Sequence, residues 1–232
     1  MLQLFPAASR SETDLGWLVS RRSFSFGDYF DPANTAFGVM RVCNDDDIAP
    51  GRGFGPHPHS DMEIVTVVLS GSIKHEDNLG HTEVTGYGGV QRMTAGTGVV
   101  HAEYNASATE PLSLLQLWFM PERRGLAPSF ETCAYDTEGL RNALLPVASG
   151  TPGERVAKLH QDMTIYLSRL ERGGELTFRQ AEGRRLFLLA IDGELDVNGT
   201  LLRPRDTARI EAEPSLTLTA AADTFFMLID LP

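Results

Sequence analysis

The stretch Gly51 to Glu63, GRGFGPHPHSDME, and its counterpart Gly96 to Glu103, GTGVVHAE, decide how this chain is read. Each holds two metal-capable side chains two residues apart, His57 with His59 and His101 with Glu103. Alternate side chains of a β-strand leave the same face, so each pair points one way. Two such strands side by side bring three imidazoles and a carboxylate to one point, a set suited to a first-row transition metal. Two familiar zinc patterns do not fit: paired thiolates at knuckle spacing, and two histidines at i and i+4 of a helix. Glu63 is the rival carboxylate, because it shares parity with His57 and His59. A regular strand carries it ~13 Å beyond His59, whereas Glu103 lies only ~7 Å along from His101. Glu103 reaches the site without a bulge, and Glu63 needs one.

Outward from these motifs the chain reads as all-β. Glu63 to Leu69 is an almost continuous β-branched run, as expected of a strand packed on both faces. Leu112 to Met120 is a second apolar strand, Phe37 to Val42 a third, and Met1 to Phe5 an edge strand stopped by Pro6. The aromatic cluster Phe24, Phe26, Tyr29 and Phe30 reads first as core and second as pocket lining. Asn44 to Asp47 is expected to be a solvated acidic loop, since it lacks the glycine and distal glutamate of a calcium loop. His75 and His81 are extra imidazoles without a partner at strand spacing, His81 being the better placed for the rim of the site. The second half continues with short apolar runs, and Asn198-Gly199 between Val197 and Thr200 is a strong hairpin signal. Many short strands at such intervals predict a sandwich or barrel. Glu138 to Leu145 is the best candidate for a short helix. Turn residues accumulate between Cys133 and Gly153, so the expected domains are 1–133, with the site, and 134–232, whose one histidine is His160.

At 232 residues the chain can bury a sizeable core. It has no apolar run of the ~20 residues a membrane helix needs, and its start lacks a basic region followed by an apolar one. A cytoplasmic monomer with no membrane partner is the expectation. Cys43 and Cys133 fit a reducing compartment, with one disulfide left open. The formal charge of −11 disfavours direct nucleic-acid binding, which calls for a basic face.

The residues also carry a family resemblance. Gly51-x5-His57-x-His59-x3-Glu63 resembles the first cupin motif, and Gly96-x-Gly98-x2-His101 the second. HPHSDMEIVTVVLSG (57–71), KHEDNLGHTE (74–83), MTAGTGVVHAE (93–103) and RRSFSFGDYFDP (21–32) are similar to the pirin family, and within it to the bacterial quercetinases. The resemblance implies a bicupin of two β-barrel or jelly-roll domains, the second degenerate and without metal ligands. It implies one divalent metal, first Fe(II), with Cu, Ni, Co, Mn or Zn as alternatives, held by His57, His59, His101 and Glu103.

The activity so implied is dioxygenase opening of the heterocycle of a flavonol such as quercetin, with O₂ as co-substrate and carbon monoxide released. Glu103 then serves as ligand and general base. A flat aromatic substrate needs an apolar slot, for which Val42, Phe54 and Met93 are the candidate lining and His81 the candidate rim. Two other classes compete: a pirin-like metal-binding regulatory or redox-sensing protein without turnover, and a cupin isomerase or sugar-binding enzyme. The missing basic surface weighs against the first of these, and the use of Glu103 rather than Glu63 against the second.

Overall fold

The computed structural model describes residues 1–232, and strands dominate it, with short 3-10 turns at Ala7–Ser9 and Thr137–Leu140. Where a helix was expected over Glu138 to Leu145, Asp136 caps the turn and Leu145 already begins a strand. No helix is long and apolar enough to cross a membrane.

The chain forms two compact units, one of Ser11–Tyr135 with Pro152–Gln161, the other of Met1–Arg10, Asp136–Thr151 and Asp162–Pro232. The division expected from sequence differs at two places. Leu2–Phe5 pairs with Thr207–Ile210 and so joins the second unit, because its apolar side chains Leu2 and Leu4 pack on that unit's core. Residues 152–161 return to the first unit, where Gln161 Nε2 donates to the Met120 carbonyl at 2.9 Å.

Each unit is built on a large and a small antiparallel sheet. In the first, the large sheet runs in the order Ser129–Ala134, Gly89–Thr94, Glu63–Ser70, Leu112–Phe119, Met40–Ile48, Leu18–Arg22, Ser11–Asp14. The small one runs Gly53–His59, Val99–Asn105, Ser72–Asp77, Thr82–Gly86. Glu63–Ser70 is buried along most of its length, which is why its sequence shows no alternation. In the second unit, Thr207–Glu211, Arg185–Asp192, Thr224–Leu231 and Thr164–Leu170 stand side by side over a core of Leu, Ile, Val and Phe. Asn198 and Gly199 take φ of 49° and 84° and close the hairpin in which Val197 faces Thr200. The two-sheet plan in both units is that of a bicupin.

The acidic run corrects a second expectation. Asn44 to Asp47 lies inside the strand Met40–Ile48, and Asn44, Asp45 and Asp46 are buried. Strand Leu18–Arg22 pairs with it, placing Ser20 opposite Asp46 and Arg22 opposite Asn44. Arg21, on the other face, meets Asp47 and Glu12 at 3.0 Å each. Partners on the neighbouring strand, invisible in a local window, make these polar side chains compatible with a sheet. Cys43 and Cys133 are not joined in a disulfide.

Candidate metal centre

The small sheet of the first unit carries the two motifs on adjacent strands. His57 stands directly opposite His101, and His59 opposite Val99, across the antiparallel pair Gly53–His59 and Val99–Asn105. Ring centroids lie 4.4 Å apart for His57 and His101, 4.8 Å for His57 and His59, and 4.9 Å for His59 and His101. One ligand atom from each of these three side chains falls within 4.8 Å of the others.

The ladder is irregular between His101 and Glu103, where Glu103 faces Phe54 instead of the residue that regular pairing would place there. The extra residue is absorbed at Gly55-Pro56, where proline has no N–H to give the ladder. Gly53–His59 is an edge strand, the place where Pro56 and Pro58 can be tolerated. Gly53 is required by contact: a Cβ there would collide with the Glu103 carbonyl.

Glu103 is fully buried and accepts a hydrogen bond from Gln116 Nε2 at 2.9 Å, and Gln116 Oε1 in turn accepts one from Thr66 Oγ1 at 2.9 Å. Gln116 lies in a cross-strand row with Asn44 and Thr66, so the large sheet supports the carboxylate of the small one. Burial pushes the Glu103 carboxyl up to about 7, against the Gln116 and Thr66 hydrogen bonds, which favour the ionised form. Glu103, His101 and His75 form a second group within mutual reach.

His59 and His101 are held neutral. Burial first, and then His57, lowers His59 to about 4; burial first, and then His57, His59 and His75, lowers His101 to about 3. His57 Nδ1 lies 2.8 Å from the Gly55 carbonyl, to which it donates, leaving Nε2 free. His101 is 2 % exposed and its Nε2 is buried without a hydrogen-bond partner.

Glu63, the rival carboxylate, is 0 % exposed and occupied elsewhere. Its neighbour Ile64 shares a row with Trp118, the side chain that reaches His59, so Glu63 leaves the opposite face of that strand. There Glu63 Oε2 accepts from the His160 backbone N–H at 3.1 Å.

A cavity of about 440 Å³ opens beside the imidazoles, lined by Trp17, Phe26, Phe54, Trp118, His57 and His59 with Gly53 and Gly55. Trp17 meets Phe54 edge-on at 5.5 Å, and Phe26 meets Trp118 at 5.3 Å. The expected lining is corrected in part. Phe54 borders the cavity, but Val42 and Met93 are buried in the same cross-strand row as Trp118 and Ile64, from which the long indole alone reaches it. Trp17 and Trp118 were not named as lining, and Phe26 only as a second reading after core, because a ring in a core and a ring on a pocket wall look alike in sequence. Of the aromatic cluster, Phe24 is buried, Phe26 borders the cavity and Phe30 is 73 % exposed.

His81 sits away from that cavity, its side chain 39 % exposed and hydrogen-bonded to Asp77 through Nδ1 at 2.8 Å. Asp77, which sequence reading passed over, has its side chain buried between His81 and His75, with His75 Nε2 at 3.0 Å. Burial opposes ionisation of Asp77, yet hydrogen bonds from His75, His81 and Leu79 hold it down at about 2.

Two sheets per unit define a bicupin, and the small sheet of the first unit carries the metal-capable side chains. The pirin family model matches residues 5–119, and a model described as the quercetinase C-terminal cupin domain matches residues 146–231. The chain belongs to the pirin family. It is 39 % identical to a quercetin 2,3-dioxygenase of Escherichia coli strain K12, covering 100 % of this chain and 99 % of that one. A pirin-like protein of Caulobacter vibrioides is 38 % identical over 99 % of both chains. The crystal structure of the bacterial pirin YhhW of Escherichia coli in complex with nickel(II) superposes with a TM-score of 0.95, at 38 % identity over 100 % of this chain and 99 % of that one.

Proposed function

We propose that this protein is a metal-dependent dioxygenase that opens the heterocycle of a flavonol, using one divalent metal held by His57, His59, His101 and Glu103. The observation that carries the reading is the meeting of His57, His59 and His101 beside an aromatic-walled cavity, with the buried Glu103 carboxylate grouped with His101 from the other side. The donor set fits a metal: His101 Nε2 is a buried nitrogen without a protein partner, and a bare buried nitrogen is costly unless something binds it. The nickel complex of a 38 % identical relative supports the same assignment. Iron(II) is placed first among the metals, followed by nickel, copper, cobalt, manganese and zinc.

A divalent cation at that point would supply Lewis acidity, so that a hydroxyl beside it ionises near neutral pH. Glu103 would take the proton from the flavonol 3-hydroxyl, as a buried carboxylate whose desolvation, without a cation beside it, favours the protonated form. Gln116 holds that carboxylate in place, and Thr66 holds Gln116. Trp17, Phe54, Phe26 and Trp118 orient the flat rings by edge and face contacts and keep water from the reacting carbons. The second unit, residues 136–151 and 162–232 with the first ten, contributes no ligand.

The test is anaerobic mixing of metal-loaded protein with quercetin, followed by oxygen. A shifted flavonol absorption band should appear on mixing and bleach when oxygen is admitted. If protein loaded with each of the six metals neither shifts nor consumes the flavonol, the oxygenase reading fails, and a metal-binding regulatory protein without turnover replaces it.

A further inference from the structure

Behind His101 the first unit holds His75, Asp77 and His81, which the proposed reaction does not use. His101 Nδ1 lies 3.4 Å from His75 Nδ1, His75 Nε2 lies 3.0 Å from Asp77 Oδ2, and Asp77 also receives the Nδ1 of His81. Asp77 accepts from the backbone N–H of Leu79 at 2.9 Å and of His81 at 3.0 Å. Phe130 lies flat on His75, centroids 3.8 Å apart and planes 7° from parallel, so the His75 ring is fixed in position.

We propose that Asp77 fixes the tautomer of His101 through His75, so that His101 always presents a bare Nε2 to a metal. The inference rests on the ligand assignment made above. Each link follows from which atom can donate. A carboxylate only accepts, so His75 must carry its proton on Nε2, facing Asp77. The Nδ1 of neutral His75 is then a bare acceptor. Two nitrogens in hydrogen-bond contact cannot both be bare, so His101 carries its proton on Nδ1 and donates it to His75. His101 Nε2 is left with its lone pair free, and it is the nitrogen found buried without a partner.

The same chain of donors separates the two overlapping clusters of metal-capable side chains. Both nitrogens of His75 are already engaged, one by Asp77 and one by His101, so His75 positions a ligand and is not one. His57 reaches the same result by a shorter route, donating Nδ1–H to its own Gly55 carbonyl. His101 sits in the middle of the sheet, where the backbone carbonyls are consumed by the ladder, and it takes its orientation from a side chain instead. A free imidazole holds its proton on Nε2 more readily than on Nδ1, so without this chain the wrong nitrogen would be protonated.

Two-bond ¹⁵N–¹H spectra of the metal-free protein at pH 8 read the tautomers directly. His75 should appear as the Nε2–H form and His101 as the Nδ1–H form. In Asp77→Asn the carboxamide can donate to one imidazole and accept from the other, so the order is lost. His101 should then show a mixture of forms, and nickel(II) affinity should fall by about 10- to 100-fold. His81→Gln, which leaves the Asp77–His75 bond in place, should keep both tautomers. Wild-type His101 in the Nε2–H form, or an unchanged His101 spectrum in folded Asp77→Asn, overturns the proposal; the wild-type spectrum decides it even if Asp77→Asn does not fold. Because the tautomers are read without metal, a wild type that takes up no nickel would sink the ligand assignment separately.

Discussion

His57 and His101 face each other directly across an antiparallel ladder, their ring centroids 4.4 Å apart, while His59 reaches the same point two residues further along its strand. One strand pair thus places three imidazoles with no loop between them, and removal of any one leaves the other two without a closed ligand set. His57→Ala, His101→Ala and Glu103→Ala should each purify with less than a tenth of the wild-type metal by elemental analysis. Full occupancy in Glu103→Ala would mean that the carboxylate has been misassigned.

Glu63 and His160 give the complementary prediction. Glu63 receives the His160 backbone N–H at 3.1 Å, and the His160 ring approaches it at 3.6 Å. Glu63→Ala should leave the metal content unchanged and lower stability by roughly 1–3 kcal/mol, the usual cost of stranding a buried donor. His160→Ala should also bind metal as the wild type does. Chemical denaturation alongside elemental analysis separates the two effects, and loss of metal in either variant would contradict the ligand set.

Protonation makes a third prediction. Burial keeps His59 and His101 deprotonated down to about 4 and about 3, so above pH 5 they do not compete with metal. Glu103 does, because burial pushes it up to about 7 and below that pH metal must displace its proton. Affinity should therefore rise about tenfold per pH unit between pH 5 and 7 and flatten above, and Glu103→Gln should lose about one unit of that slope. The metal-free fold carries the opposite signature. Between its ordinary value of 4.5 and about 7, Glu103 is protonated when folded and ionised when unfolded. This contribution to stability is present at pH 4 and lost as pH rises through 7, by up to roughly 3 kcal/mol. Urea unfolding of metal-free wild type and Glu103→Gln at pH 5 and pH 8 measures it; equal pH dependence in the two proteins would rule it out.

The cavity wall supplies a fourth. Trp118 meets both Phe26 and His59 edge-on, at 5.3 and 4.8 Å. Trp118→Ala should keep its metal but raise the KM for a flavonol at least tenfold, as loss of a ring contact and of its buried area requires. Val42→Ala, on the same row but away from the cavity, should change stability and leave KM within about twofold. Steady-state kinetics on the two variants checks both statements.

How much of this was legible in the sequence follows from how local each feature is. The two metal pairs, the β-rich architecture and the Asn198-Gly199 turn are set by spacing within one strand or turn, and periodicity reads such spacing directly. The burial of Asn44 and Asp46 was not legible, because Ser20 and Arg22 on another strand decide it. Burial even pushes Asp46 up to about 7, so near neutrality it sits in the sheet with much of its charge suppressed. Asp77 was missed for a related reason: its ionisation depends on His75, His81 and a turn closing around it. The aromatic wall fell between these cases, since Phe26 was read first as core and Trp118 lay in an apolar run, but composition does not say which apolar rings border a cavity. The choice of Glu103 over Glu63 rested on distance along a strand. The bulge that does occur lies in the facing strand, at Gly55-Pro56, and leaves Glu103 in step with His101.

The pairing of Leu2–Phe5 with Thr207–Ile210 has a consequence in time. On the ribosome these first residues emerge long before their partner strand exists. At about 5–20 residues per second they wait on the order of ten seconds or more with an unpaired edge. The first unit, complete apart from its 152–161 return, can form during that wait, whereas the second cannot close until Thr224–Leu231 has been made. The unit that carries the histidine clusters is thus the early-folding one, and the two strands that bear His57, His59 and His101 can pair before the other unit is made.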